Sequence, residues 1–67
     1  MDAYKYVDAT IKAAKEHIAM GDYSKVDLIN VKSNLHEMVN NYSYIIDDAD
    51  CERYHRIINR LRLNNRK

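Results

Sequence analysis

The feature that most restricts the fold is the scarcity of helix-breaking residues. The 67-residue chain contains no proline and a single glycine, Gly21. Because proline and glycine are the residues that most often interrupt regular structure, long uninterrupted segments are expected. Apolar residues also recur at alternating steps of three and four, the spacing that places side chains on one face of an α-helix. Together these patterns predict an all-α protein.

The first two helices are predicted to form a hairpin. One spans about 2–20, with an apolar face made of Tyr4, Val7, Ile11, Ala14 and Ile18. The other spans about 25–46, with an apolar face made of Leu28, Val31, Leu35, Met38, Tyr42 and Ile45. Gly21 suits the left-handed residue that ends a helix, and Ser24 with Asp27 resembles a capping box that begins one. The short turn over 21–24 therefore predicts antiparallel packing.

A third helix is predicted at about 49–63, because the apolar rhythm shifts its phase after residue 46. The new series is Cys51, Tyr54, Ile57, Ile58 and Leu61. An alternative is one bent helix over 25–63, with the third helix as a continuation of the second. We expect a small three-helix bundle that forms a single domain over 1–67, with 64–67 frayed.

The charge distribution is uneven, although the net charge is only +1. Residues 1–50 hold five lysines against nine acidic residues, a net charge of −4, whereas 51–67 hold five arginines and Lys67 against Glu52, a net charge of +5. Such a division indicates either a basic surface for a partner or pairing of the two regions with each other.

The sequence offers little support for catalysis or metal binding. Cys51 is the only cysteine, and it shares a helix face with His55, but no further spacing typical of zinc ligands accompanies them. No phosphate loop or nucleophile motif is present, so we expect no enzyme activity, no cofactor, no metal and no small-molecule substrate. The absence of a leader, of a long apolar run and of a second cysteine predicts no membrane contact and a reducing, cytoplasmic setting.

The arginines form the first candidate binding surface. Arg53, Arg56 and Arg60 follow steps of three and four, which makes one ridge on the third helix. Arginine suits both carboxylates and phosphates. The ridge is therefore interpreted in three ways: as a face that is solvated or pairs with the acidic helices, as a contact for a protein partner, or as a contact for nucleic acid, with Asn59 and Asn64 available to base edges.

Tyr44 forms the second candidate surface, because it lies off the apolar stripes among acidic residues that include Asp48. Exposed aromatic residues are over-represented among interface hot spots. A further apolar stripe, made of Val26, Ile29, Val39 and Ile46, needs a cover that either the third helix or a second copy of the chain supplies.

These features lead to one functional hypothesis and one rival. The chain is expected to be a small helical adaptor or inhibitor that binds and occludes another protein, as a homodimer. In size and type it is similar to the accessory proteins of phages and mobile elements, which block a host machine. The rival is a nucleic-acid-binding regulator that uses the arginine-rich third helix.

Overall fold

A computed structural model describes residues 2–63, and within them it contains three α-helices and no strand. The helices are α1 (Ala3–Ala19), α2 (Lys25–Asn41) and α3 (Asp48–Asn59). α1 and α2 form the expected hairpin, and α3 packs mainly on α2, in a body of 41 × 18 × 16 Å. The prediction of a small all-α fold is confirmed, while the predicted frayed segment 64–67 lies outside the described residues.

The turn between α1 and α2 forms as the sequence predicts. Gly21 has φ 76°, in the left-handed region that favours glycine, and its amide donates to the carbonyl of Ile18 at 3.1 Å. The Ser24 hydroxyl accepts from the Asp27 amide at 3.1 Å, and the Asp27 carboxylate accepts from the Ser24 amide at 3.0 Å. This reciprocal capping box satisfies two donors that a helix start otherwise leaves without partners.

Replacing Ser24→Ala should therefore lower the free energy of unfolding by about 1 kcal/mol, because the Asp27 amide loses its acceptor. The matched control is Ser33→Ala, an exposed position inside α2, where alanine favours the helix. Urea unfolding followed by circular dichroism measures both. Equal effects of the two substitutions would contradict the role of the cap.

The predicted end of α2 at 46 is wrong, and so is the alternative of one continuous bent helix. α2 ends at Asn41, and the chain turns through 42–47 before α3 begins. The amides of Ile45 and Ile46 both bond to the carbonyl of Tyr42, at 2.9 and 3.0 Å, which closes a tight turn. Asparagine and serine at 40, 41 and 43 favour such an exit because their side chains compete for backbone groups. The turn brings Ile46 into the core and leaves Ile45 half exposed.

The core lies between the inner faces of all three helices. Four side chains in it are almost completely inaccessible to solvent: Val7, Val39, Tyr54 and Ile58. The core is completed by Ala3, Ile11, Ala14, Leu35, Ile46 and Leu61. The further stripe on α2 is divided, since Val39 and Ile46 are buried whereas Val26 and Ile29 are 65% and 67% exposed.

Two tyrosine–aspartate hydrogen bonds join α1 to α3 in a reciprocal arrangement. The Tyr4 hydroxyl of α1 donates to Asp50 at 2.8 Å, and the Tyr54 hydroxyl of α3 donates to Asp8 at 2.8 Å. The Tyr4 oxygen also accepts from the Asp47 amide at 3.2 Å. Burial raises the pKa of Tyr54, and the bonded Asp8 carboxylate raises it further. The phenol therefore keeps its proton and remains a donor at neutral pH.

The substitution Tyr54→Phe should lower the free energy of unfolding by about 1 kcal/mol, since it removes one hydrogen bond and leaves Asp8 exposed to water. Tyr44→Phe, at a side chain that is 81% exposed, serves as the control and should change that free energy by less than about 0.5 kcal/mol. Chemical denaturation of both variants is the measurement, and an unchanged midpoint for Tyr54→Phe would contradict the importance of the bond.

Candidate interaction surface

α3 is held at both ends by side chains from the other two helices. At its start, the Asp47 side chain makes no capping hydrogen bond. The Tyr4 hydroxyl from α1 instead accepts from the Asp47 amide at this end. At its end, the Lys32 ammonium from α2 donates to the carbonyls of Asn59 and Leu61, at 3.1 and 3.2 Å. A cation at these terminal carbonyls also interacts favourably with the helix dipole. The orientation of α3 therefore determines which of its side chains face solvent.

The outward face of α3 carries the predicted arginine ridge. At 100° per residue, the buried Tyr54 and Ile58 define the inner side, and the opposite side is exposed. This exposed side consists of Ala49, Glu52, Arg53, Arg56 and Arg60.

Arg53 is partly engaged inside the molecule. Its guanidinium lies 3.5 Å from the Asp50 carboxylate and 4.7 Å from the centre of the Tyr54 ring. Asp50 also accepts the Tyr4 hydroxyl, so this arginine joins the network that links α1 to α3. With about half of its side chain exposed, Arg53 borders the outer surface, but much of its binding capacity is already used.

Arg56 and Arg60 differ from Arg53 in this respect. Both are exposed, and within residues 2–63 neither side chain makes an ion pair or hydrogen bond. Arg60 also lines a cleft of about 320 Å³ together with Lys15 of α1, Ile57 and Leu61. Lys15 was not among the residues singled out from the sequence, because only the packing of α3 against α1 brings it beside Arg60. The cleft therefore holds two cations beside an apolar floor, and the exposed Arg56 lies one helical turn before Arg60; Arg56, Arg60 and Lys15 together are called the cationic surface.

Tyr44 and Asp48 lie at the other end of α3. Tyr44 is 81% exposed in the turn that precedes the helix, with Ile45 beside it at 50%. Asp48 is exposed in the first turn of α3, where a carboxylate favours the positive end of the helix dipole. The rise from Asp48 to Arg60 is about 18 Å, so the tyrosine patch of Tyr44 and Ile45 at the start of α3 and the cationic surface at its end are separate contacts.

Cys51 and His55 do not face a common ligand. The Cys51 thiol is half-buried and donates to the Ile46 carbonyl at 3.7 Å. Burial raises the pKa of the Cys51 thiol, and the carboxylates of Asp48, Asp50 and Asp47 raise it further. A protonated thiol is a poor nucleophile and a poor metal ligand. Within residues 2–63 no group of three or more histidine, cysteine, aspartate or glutamate side chains is arranged to hold a metal ion.

His55 instead meets His36 of α2, a pairing that sequence reasoning missed. Their Nδ1 atoms lie 2.6 Å apart. The Nε2 atom of His36 lies 2.9 Å from Asn59 Oδ1, and the Nε2 atom of His55 lies 3.2 Å from Asn40 Oδ1. Asn59 is exposed, and its Oδ1 atom is already bonded to His36. No signal in the sequence identified this pair, since it depends on the register between two helices.

In the described part of the chain, no helix is long and apolar enough to cross a membrane. Comparisons with protein-family models, with curated proteins and with solved structures found no match for this chain. The function is therefore inferred from the exposed surfaces of the described residues.

Proposed function

We propose that the protein is a non-enzymatic interaction protein, an adaptor or inhibitor, that binds an acidic surface of another protein and occludes it. The observation that carries this proposal is the cationic surface, in which Arg60 and Lys15 border an apolar floor of Ile57 and Leu61 and the exposed Arg56 lies one helical turn before Arg60. Arginines without internal partners retain the full capacity for bidentate bonds to carboxylates. Arg53 contributes at the border of this surface while it holds Asp50.

The tyrosine patch supplies the second anchor in this proposal. Tyr44 and Ile45 form an exposed aromatic and aliphatic pair next to Asp48. A large aromatic side chain with a polar tip is a frequent centre of binding energy, and the surrounding charges select the partner and its orientation. When both contacts are engaged, this protein covers the corresponding surface of its partner and blocks access to it.

The cationic surface is tested by fluorescence anisotropy with a labelled glutamate-rich peptide. Arg56→Ala, Arg60→Ala and Lys15→Ala together should weaken binding at least about fivefold, because each surface ion pair contributes about 0.3–1 kcal/mol. The control, Lys5→Ala, Lys12→Ala and Lys25→Ala together, removes the same charge from exposed positions elsewhere and should weaken binding much less. Equal losses in both variants would show that only net charge matters and would contradict the proposed site.

The alternative function, nucleic-acid binding, would use the same cations. Fluorescence anisotropy also distinguishes it from the binding of an acidic protein surface. Labelled duplex DNA and single-stranded RNA are titrated at about 50 and 200 mM salt. We expect no micromolar binding at either concentration, because the net charge is only +1 and Asn59 is already bonded to His36. Micromolar binding that collapses at the higher salt concentration would favour the nucleic-acid function instead.

We also propose that the protein acts as a homodimer, through the apolar residues left uncovered at the Gly21 end of the hairpin. Met20, Val26 and Ile29 are 71%, 65% and 67% exposed. A chain of this length buries a smaller fraction of its surface on folding than a larger domain does, and a second copy is one common source of additional stability. These three residues lie at the Gly21 end of the hairpin, whereas Tyr44 follows the other end of α2. A dimer formed through them therefore leaves the tyrosine patch available to a partner.

Sedimentation equilibrium tests the homodimer. Val26→Ser with Ile29→Ser should convert a dimer to a monomer, whereas Tyr44→Ser with Ile45→Ser should leave the dimer intact. A wild-type protein that remains monomeric at about 100 μM, well above the micromolar constants of specific association, would contradict the proposal. Dissociation caused by the second pair alone would place the dimer interface at the tyrosine patch.

A further inference from the structure

The contact between His36 and His55 is a hydrogen bond made edge to edge by two imidazole rings. The ring planes differ by 22° and the ring centroids are 4.8 Å apart. Because the Nδ1 atoms are only 2.6 Å apart, this centroid distance nearly equals the nitrogen–nitrogen distance plus the two ring radii. The nitrogens therefore lie on the line between the ring centres, and the rings do not overlap face to face.

The hydrogen-bond partners of the two rings indicate which imidazole nitrogens carry a hydrogen. Asn59 Oδ1 and Asn40 Oδ1 accept only, so each Nε2 atom that contacts them carries a hydrogen. A neutral imidazole with hydrogen on Nε2 has a bare lone pair on Nδ1. Two bare lone pairs at 2.6 Å repel each other, and a single proton between them converts the contact into a charge-assisted hydrogen bond.

We propose that His36 and His55 form a proton-binding site between α2 and α3 that holds one proton and excludes a second. A second proton would place two cations against each other at the shared edge, and the half-buried rings would have to separate. The site therefore joins α2 to α3 in its singly protonated form and releases them when both rings are charged. The contact strength between these helices then depends on pH.

The surrounding charges leave this assignment intact. On α2, Lys32 lies four positions before His36 and is bonded to backbone carbonyls, and Glu37 directly follows His36. On α3, Glu52 lies three positions before His55, and Arg56 directly follows it. None of these forms an ion pair or hydrogen bond with either imidazole within residues 2–63.

Within residues 2–63, no residue of α1 makes an ion pair or hydrogen bond with either imidazole. α1 meets α3 through Asp8 and Tyr4, which bond to Tyr54 and Asp50 on other sides of that helix. Burial lowers the pKa of His55, and the charge of His36 lowers it further. A lowered pKa in the folded state means that the unfolded chain takes up protons first as the pH falls, so stability is lost in that direction.

The direct test is nitrogen-15 NMR of the imidazole rings of the intact protein between pH 8 and pH 5. We expect both Nε2 atoms of the pair to stay protonated throughout, with one shared proton seen at both Nδ1 atoms near neutral pH. Independent conversion of His36 and His55 to full imidazolium ions in the folded protein would overturn the proposal. So would a neutral pair at pH 7, in which one asparagine has rotated to offer its amino group.

A second test uses stability and needs no assignment of single nitrogens. Between about pH 6 and pH 5, where free histidines become charged, the unfolding equilibrium constant of the wild type should rise by up to about tenfold per pH unit from this site. His36→Gln with His55→Gln should remove that component, and the control His17→Gln should retain it. An identical pH dependence in all three proteins would contradict the proposal.

Addition of zinc tests whether the site between His36 and His55 binds a proton or a metal ion. Zinc–nitrogen bonds of about 2.0–2.1 Å would require the two Nδ1 atoms to move apart from their 2.6 Å contact. Addition of one equivalent of zinc at pH 7 should therefore leave the signals of His36 and His55 in place. A stoichiometric shift of both rings would identify a metal site and reject the proton as the resident ligand.

Discussion

The position of α3 depends on the reciprocal hydrogen bonds between Tyr4 and Asp50 and between Tyr54 and Asp8. α3 is only 12 residues long, and a helix of that length is marginal by itself in water. Apolar contacts attract it to the hairpin but specify its rotation weakly, since they are non-directional. Two directional bonds, each between residues 46 positions apart in the chain, orient it against α1, while the contacts of Lys32 and His36 orient it against α2.

That fixed rotation divides α3 into surfaces with different roles. Its inner side buries Tyr54 and Ile58, and the flank beside α2 places His55 against His36. The outer side presents Arg56 and Arg60 without internal partners in the described part of the chain. The proposed protein contact and the proposed proton site therefore share one helix. Loosening of the α2–α3 contact at low pH would also alter the position of the cationic surface.

Much of the fold follows from local sequence signals, because they act within a few residues. Gly21 and the capping box of Ser24 determine the hairpin turn, and the spacing of the apolar residues determines the inner faces of the helices. The end of α2 was misplaced because no proline or glycine marks it. The pairing of His36 with His55 was missed for a different reason, since it depends on tertiary register, as does the position of Lys15 beside Arg60. Patterns along a single helix carry no information about either.

A double-mutant cycle on Tyr4→Phe and Tyr54→Phe tests the central claim most directly. If both bonds position α3, loss of one loosens the helix and lowers the contribution of the other bond to the free energy of unfolding. The free energy of unfolding lost in the double variant should then be smaller than the sum of the two single losses, by at least about 0.5 kcal/mol. Additivity to within about 0.3 kcal/mol would mean that the bonds act independently, and it would contradict the account of how α3 is positioned.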